Sequence, residues 1–498
     1  MSGYTKTADK PSQTAVPARQ GAPLADPRPL HTFGPRQAWS DSLARFLIHM
    51  PKSVWAVMDV ISVCIGNYIG YQFFHLQFPT STWVAGMTLV NAVVAISYVA
   101  AGLMVGLYET ETLRHRSRIT VRSLLTVGLA VAISYVVMHT LLYEIYSRRI
   151  AIMSPLTFIA ISGGIRMLAH RVLRHLKTRV LFVGSGESIS RVAQAVREAE
   201  AGRNYVLVGH VTVGREQAKQ PIPNLRKLGS VKDIQAVCLA NDVHQVVIGA
   251  EEMADAELSP MIMCCLRLGC RVTNQLTFHE RVLGEVPVDY ITADWFLSAD
   301  LDGHRAGRAT LKRVFDFIFA GLALIVTLPL WPIIFLAVKF SDGGSVFYSQ
   351  ERVGRHNRIF TLIKFRTMRA DAEADGHAWA TPDDPRITRL GRFLRRSHLD
   401  ELPQLWSIFL GDMSIVGPRP ERPDIVEELC QKLPFYAERH LIKPGITGWA
   451  QISFRYGSSI EDAKHKLQFD LYYLKHMSFE LDMIILFRTV GTFLRGAC

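Results

Sequence analysis

With 498 residues, 49% of them apolar, and a mean hydropathy of +0.15, the chain is too hydrophobic for an ordinary soluble enzyme. It is long enough for several domains of roughly 100 to 200 residues each. The formal charge of +12 calls for anionic partners, but the basic residues flank apolar segments and do not interleave with aromatics on a long soluble surface, which argues for membrane lipid and against nucleic acid. The seven cysteines are odd in number and scattered, and no second Cys or His pair completes the group Cys264, Cys265 and Cys270, so a zinc site and a disulfide framework are both disfavoured.

Residues 1–45 are rich in Pro, Ala, Ser, Thr and Gln without a long apolar core, and are expected to form a disordered cytosolic tail, not a cleaved signal peptide. Residues 46–170 then predict an α-helical bundle of four transmembrane spans. No Asp, Glu, Lys or Arg occurs from Val60 to Tyr108, which leaves room for two spans near the roughly 20 residues a bilayer needs. Ser123 to Tyr143 makes a third. Ile150 to Ile165 makes a short fourth, for which Arg149 and Arg166 are expected to snorkel toward the interfaces. The loop around Pro79 has no Lys or Arg, whereas Arg114, Arg116, Arg118 and Arg122 follow the second span and Arg171, Arg174, Lys177 and Arg179 the fourth. By that asymmetry everything after Arg166 is expected on the cytoplasmic face, with Arg148 and Arg149 opposing it.

From 178 to 302 short apolar runs, Val180 to Val183, Tyr205 to Val208 and Gln245 to Ile248, alternate with polar helical stretches, the spacing of β-α-β units in a parallel sheet. Gly184-Ser185-Gly186 follows the first run, but Ile189 occupies the third glycine position of the dinucleotide fingerprint. A Rossmann-like domain without a tightly held dinucleotide is the expectation. Gly303 to Gly307 reads as a linker, and residues 308–498 as the last domain.

That domain opens with a charge-free apolar segment, Phe317 to Val338, broken by Pro329 and Pro332. Each proline removes a backbone hydrogen bond and crowds the preceding turn, so a sharp bend is expected. Lys312 and Arg313 precede the segment and Lys339, Arg352 and Arg355 follow it, which places both ends on one face and predicts a re-entrant membrane helix over 312–339. A kinked but complete span is the alternative.

Asp400 and Glu401 stand just before Pro403, where a helix toward Ile408 is expected to begin. Carboxylates in a first turn also cap orphan amides and offset the helix dipole, so alone they carry little. Their surroundings carry more. Arg386, Arg389, Arg392, Arg395 and Arg396 precede them, and Gly417-Pro418-Arg419-Pro420 follows after one helix length. Two acids between guanidinium groups suit phosphate transfer: one to attack or hold a divalent metal, with cations to neutralise the non-bridging oxygens.

The motifs Lys312-Arg313-Val314-Phe315-Asp316, Gln350-Glu351-Arg352-Val353-Gly354, Lys364-Phe365-Arg366-Thr367-Met368, Asp400-Glu401-Leu402-Pro403-Gln404, Gly417-Pro418-Arg419-Pro420 and Lys443-Pro444-Gly445-Ile446-Thr447-Gly448-Trp449-Ala450-Gln451 stand in this order. In them the region from Lys312 onward resembles the bacterial sugar transferase family, the polyprenyl-phosphate sugar-1-phosphate transferases. The spans and Rossmann-like domain resemble its larger members. The resemblance implies an α-rich catalytic domain at the cytoplasmic face of a bacterial inner membrane. It implies a two-step reaction in which Asp400 attacks the β-phosphate of a UDP-sugar, UMP leaves, and undecaprenyl phosphate collects the sugar phosphate. It further implies Mg²⁺ at Glu401, phosphate at Arg419, and help on the diphosphate from Lys364 and Arg366. Asp470 and Asp482 would be substrate or metal partners, and Gln451 a substrate contact. Glucose is the preferred sugar and galactose the second, and a homodimer is compatible. Some members carry a Ser-Pro pair at the bend where this chain has Leu328-Pro329, which leaves the capping of the freed backbone open.

Two other classes compete. A membrane-anchored nucleotide-sugar dehydratase or epimerase would need a dinucleotide fingerprint and a Tyr-x-x-x-Lys base, and no tyrosine here has a lysine four residues later. A non-catalytic scaffold of a polysaccharide assembly complex would have no need of the intact Asp400-Glu401 pair.

Overall fold

A computed structural model describes residues 50–494 together with Leu43, Phe46 and Leu47, except 76–82, 142–147, 214–221, 250–257, 300–304, 370–383, 455–458 and several stretches of one to three residues. The expected tail, 1–45, lies almost wholly outside the described residues, as does the first half of the expected linker.

The helical N-terminal region comprises α1 (Lys52–His75), α2 (Trp83–Val105), α3 (Arg116–Val136), α4 (Arg148–Thr157) and α5 (Gly164–Leu173). Among the described residues three stretches are long and apolar enough to cross a membrane, Lys52–Gly70, Arg116–His139 and Ala151–Leu173, and Leu89–Val105 in α2 is a shorter apolar helix. The last stretch is continuous because a π-helical segment, Phe158–Gly163, joins α4 to α5 across the turn after Pro155. Arg166 does not snorkel. It is buried in the bundle, 2.8 Å from the equally buried Asp59 of α1, whose carboxylate also accepts the Ser162 hydroxyl. Pairing offsets part of the cost of burying both charges, so the first and last stretches extend past residues that a charge count treats as ends.

The middle domain is a five-stranded parallel sheet in the order β3-β2-β1-β4-β5. Its strands are β1 (Thr178–Val183), β2 (Tyr205–Thr212), β3 (Lys227–Ser230), β4 (Gln245–Ile248) and β5 (Arg271–Asn274). That order and the helices α6 (Glu187–Glu198), α7 (Ile234–Ala240), α8 (Leu258–Arg267) and α9 (Gln275–Leu283) are those of the doubly wound dinucleotide fold. Ile189 is fully buried on α6, packing with Val180, Phe182 and Val192. It acts there as core, not as the close-approach glycine of a phosphate loop.

The last domain begins inside α10 (Arg305–Thr327), so Gly307 lies in a helical turn. A break at Leu328-Pro329 leads into α11 (Leu330–Asp342), bent by 64° from α10. Pro329 caps α11 and Pro332 falls in its first turn, where missing N–H groups cost nothing. At the bend, where capping was left open, the Thr327 hydroxyl donates to the Ala323 carbonyl at 2.7 Å. Around the bend Leu322, Ile325, Val326, Leu328 and Ile333, and Phe340 farther along α11, are exposed, an apolar surface that no described residue covers.

Then follow the hairpin β6 (Phe347–Val353) and β7 (Ile359–Phe365), α12 (Arg389–Arg396), α13 (Gln404–Leu410), β8 (Ser414–Val416), α14 (Pro423–Lys432), β9 (Gly445–Thr447), α15 (Trp449–Ser453), α16 (Ile460–His476) and α17 (Phe479–Leu494). Their shared core includes Ile408, Met413, Leu467, Leu471 and Ile485, and it also takes in Val286, Val288, Ile291 and Trp295, which follow the sheet domain.

Candidate active site

Asp400 and Glu401 occupy a tight turn, Leu399–Glu401, between α12 and α13. The local sequence explains the turn. Thr388 caps α12 by accepting the Gly391 amide at 2.9 Å, and α12 ends at Ser397. His398 then adopts a left-handed conformation, φ 53°, which reverses the chain and gives its carbonyl to the Glu401 amide at 3.2 Å. Such a backbone is unfavourable for a residue with a side chain and is retained here beside the acids. Pro403 starts α13 without wasting a donor. At the far end of α13 Arg313 of α10 donates to the Ile408 and Phe409 carbonyls, both at 2.7 Å, so the helix that follows the acids is fixed to the one that enters the bend.

Two cations converge on Glu401. Lys364, near the end of β7 and opposite Tyr348 in the hairpin register, donates to Glu401 Oε1 at 2.7 Å, and Arg419 lies 3.6 Å from the same oxygen. Burial raises the Glu401 carboxyl, but Lys364 and Arg419 outweigh it and hold the group at about 2. The Asp400 carboxyl, buried and beside the Glu401 charge, is pushed up to about 6. The Lys364 ammonium is pulled down by burial against the opposing pull of Glu401. Two adjacent carboxylates thus have contrasting environments, an arrangement typical of acid, base and nucleophile sites.

Arg419 reaches the cluster from a loop built by two sequence motifs 30 or so residues apart. β8 pairs in parallel with β9, Gly417 N–H donates to the Thr447 carbonyl and Gly445 N–H to the Pro418 carbonyl, each at 2.9 Å. A Cβ on Gly417 or Gly445 would overlap the facing backbone, so this crossing requires glycine on both sides.

Asp470 and Asp482 are not part of the Glu401 cluster. Asp470 is buried against Arg439 at 2.8 Å, and Arg439 donates onward to the Arg419 carbonyl at 3.1 Å. Asp482 is buried against Lys312 at 2.7 Å and the Tyr473 hydroxyl at 2.6 Å, and that hydroxyl lies 3.2 Å from the Val416 carbonyl. Asp316 accepts the Ile415 amide at 3.1 Å. Directly or through Tyr473 and Arg439, these three acids hold the backbone of Ile415, Val416 and Arg419 itself. Arg366 lies along Gly344 at the exit of α11, and its amide donates to the Val346 carbonyl. Gln451 donates to the Ile446 carbonyl at 3.0 Å, while its Oε1 is buried without a hydrogen-bond partner.

Arg439, Tyr473 and His398 escape a sequence reading because nothing marks a lone cation or phenol as buried, and left-handed backbone at histidine has no sequence sign. Among the described residues no three His, Cys, Asp or Glu side chains converge to hold a metal ion.

Comparison with known proteins places the chain among sugar transferases. The family model described as bacterial sugar transferase matches residues 307–496, and one described as a CoA-binding domain matches 104–273. The undecaprenyl-phosphate galactose phosphotransferase of Salmonella typhimurium is 31% identical over 359 residues, 66% of this chain and 71% of that protein. The UDP-N-acetylgalactosamine-undecaprenyl-phosphate N-acetylgalactosaminephosphotransferase of Aeromonas hydrophila is 36% identical over 224 residues, 44% of this chain and 51% of its own length. The UDP-glucose:undecaprenyl-phosphate glucose-1-phosphate transferase of Escherichia coli is 42% identical over 182 residues, 36% of this chain and 39% of its length. The matched region thus spans about half of the Aeromonas relative and less of the E. coli one. The chain belongs to the bacterial sugar transferase family.

Proposed function

We propose that the chain transfers a sugar 1-phosphate from a UDP-sugar to undecaprenyl phosphate at the cytoplasmic face of a bacterial inner membrane. The observation that carries this reading is the buried Asp400 beside a Glu401 held by Lys364 and Arg419. In the first step an Asp400 carboxylate oxygen bonds to the β-phosphorus. The bond from that phosphorus to the oxygen bridging the two phosphates breaks, and UMP departs with that oxygen. In the second step a phosphate oxygen of undecaprenyl phosphate attacks the same phosphorus and releases Asp400. Splitting the transfer lets a soluble donor and a lipid acceptor use one pocket in turn.

Lys364 and Arg419 exchange part of their hold on Glu401 for the diphosphate oxygens, whose charge grows as the leaving group departs. Magnesium binds through one or two carboxylates plus substrate phosphates and water, which the Asp400-Glu401 donor set fits, with Glu401 as the protein ligand. When bound there, the ion would neutralise charge on the non-bridging phosphate oxygens. The bent pair α10 and α11, with its uncovered apolar tip and basic flanks, is read as a re-entrant hairpin that keeps the acids at headgroup depth.

The test is UMP release by the detergent-purified chain with Mg²⁺, undecaprenyl phosphate and UDP-glucose, UDP-galactose or UDP-N-acetylgalactosamine, beside Asp400→Asn. The variant is expected to lose at least about a thousandfold in rate. A rapid quench with donor labelled in its β-phosphate should label wild-type protein and not the variant. Full turnover by Asp400→Asn would refute the covalent route.

A further inference from the structure

Away from the Asp400 cluster, a cavity of about 530 Å³ opens where the N-terminal bundle meets the catalytic domain. Four of its lining side chains carry nitrogen cations or imidazoles: His115 and Arg116 at the start of α3, His170 near the end of α5, and Arg488 of α17. Among the described residues no carboxylate lines it. Glu480, at the start of α17, is engaged by Arg122 through two hydrogen bonds of 3.0 and 2.8 Å. His170 Nδ1 donates to the Leu113 carbonyl at 2.9 Å, which orients the ring at the cavity wall; as an imidazolium it would also offer an Nε2 proton to an anion. Arg488 stacks its guanidinium over the Trp449 ring, 5.2 Å from the centroid, which orients it without using its N–H groups.

The depth of the cavity identifies its class of ligand. Arg116 is the first residue of one membrane-crossing stretch, and His170 lies in the last turn of another, so both stretches end at this level. The rest of the wall is Ser117 and Thr120 together with an apolar part, Val121, Ile484 and Phe487, beyond which Leu124 and Val490 are exposed one turn further along the same two helices. A free phosphate would use only the basic wall, whereas a lipid uses both.

We propose that this cavity binds the phosphate of an anionic membrane lipid, with its hydrocarbon chain along Val121, Ile484 and Phe487. The proposal makes no use of the transfer reaction, so either can fail without the other. The chemistry is common to a phospholipid headgroup and to a polyprenyl phosphate.

The experiment is native mass spectrometry of the full chain released from phosphatidylcholine nanodiscs containing phosphatidylglycerol, polyprenyl phosphate or both. Wild type is compared with Arg116→Gln, Arg116→Lys, the double variant Arg116→Gln/Arg488→Gln, and Asp400→Asn. Retention of the bound lipid should fall about fivefold for each arginine removed, the usual worth of one basic side chain at an anionic surface. Arg116→Lys and Asp400→Asn should retain it. Loss of phosphatidylglycerol in the glutamine variants assigns the site to phospholipid. Displacement of phosphatidylglycerol by polyprenyl phosphate, with the same arginine dependence, assigns it to the polyprenyl carrier. Retention of both lipids unchanged by Arg116→Gln overturns the proposal. Because Arg116 is exposed and starts its helix, that single variant should melt like wild type, which keeps the comparison valid if the double variant unfolds.

Discussion

Asp400 and Glu401 are adjacent, yet Glu401 is bonded to Lys364 and faces Arg419, whereas Asp400 is buried and its strongest influences are that burial and the Glu401 charge. Replacing Glu401 by Gln removes the charge that both cations share and should lower the transfer rate by about a hundredfold, read as UMP release, with folding unchanged by circular dichroism. The pair itself was legible in the sequence, as were Lys364 and Arg419. Asp470 and Asp482, expected as substrate or metal partners, stand apart from the Glu401 cluster, since each is taken up by a buried partner, Arg439 or Lys312, that lies far from it in sequence. His440 gives a second prediction. Its Nδ1 donates to Asn357 Oδ1 at 2.7 Å, its Nε2 is buried without a partner, and burial, helped by Arg439, depresses its pKa to about 3. Below the unfolded value near 6.5 the unfolded chain takes up a proton that the folded chain refuses, so stability falls as pH drops from 6.5 toward 3. The loss is at most about 1.4 kcal/mol per pH unit, and His440→Gln should flatten the melting temperature between pH 6.5 and 5.

At the scale of elements, the Gly-Pro-Arg-Pro and Lys-Pro-Gly motifs could be read as strings but not as halves of one crossing, because nothing local says that Gly417 faces Gly445. The β8–β9 pair makes that contact obligatory. Gly445→Ala is expected to cost roughly 2 kcal/mol through backbone overlap and to displace Arg419, lowering both melting temperature and transfer. The parallel sheet was legible from its apolar runs, apart from the short strands β3 and β5, whose exposed or half-buried residues give no apolar run. The bend was legible from Pro329 and Pro332, and its side of the membrane can be tested directly. In a chain lacking its native cysteines, Lys232→Cys and Ser345→Cys, both at exposed positions, should react with an impermeant thiol reagent from one and the same face. Labelling of the two from opposite faces would mean that α10 and α11 together cross the bilayer.

Across the whole molecule, the three regions are joined by charged contacts that no motif announces. Arg122 of α3, with hydrogen bonds to Glu109 and Thr112, also clamps Glu480 of α17, linking the bundle to the catalytic domain. A double-mutant cycle with Arg122→Gln and Glu480→Gln should show a coupling of about 1 to 3 kcal/mol in unfolding, because the pair is largely desolvated. A value near zero would mean that the two regions merely touch. The sheet domain is held in the same manner. Glu280 of α9 accepts the Trp295 indole N–H at 2.7 Å and pairs with Lys475 at 3.0 Å, and the Gly284 carbonyl accepts the Trp449 indole N–H at 2.7 Å.

The packing of Val286, Val288, Ile291 and Trp295 into the catalytic core bears on how such chains are assembled over evolutionary time. The recognisable sugar transferase region begins at 307, but the physical unit begins some twenty residues earlier. A gene fusion or truncation made at 307 would leave a hydrophobic hollow in the transferase and strand an oily tail on the sheet domain. A join made just before Val286 would instead leave Trp295 on the transferase face against which it lies, so the natural seam between the two units falls in the short stretch after Leu283.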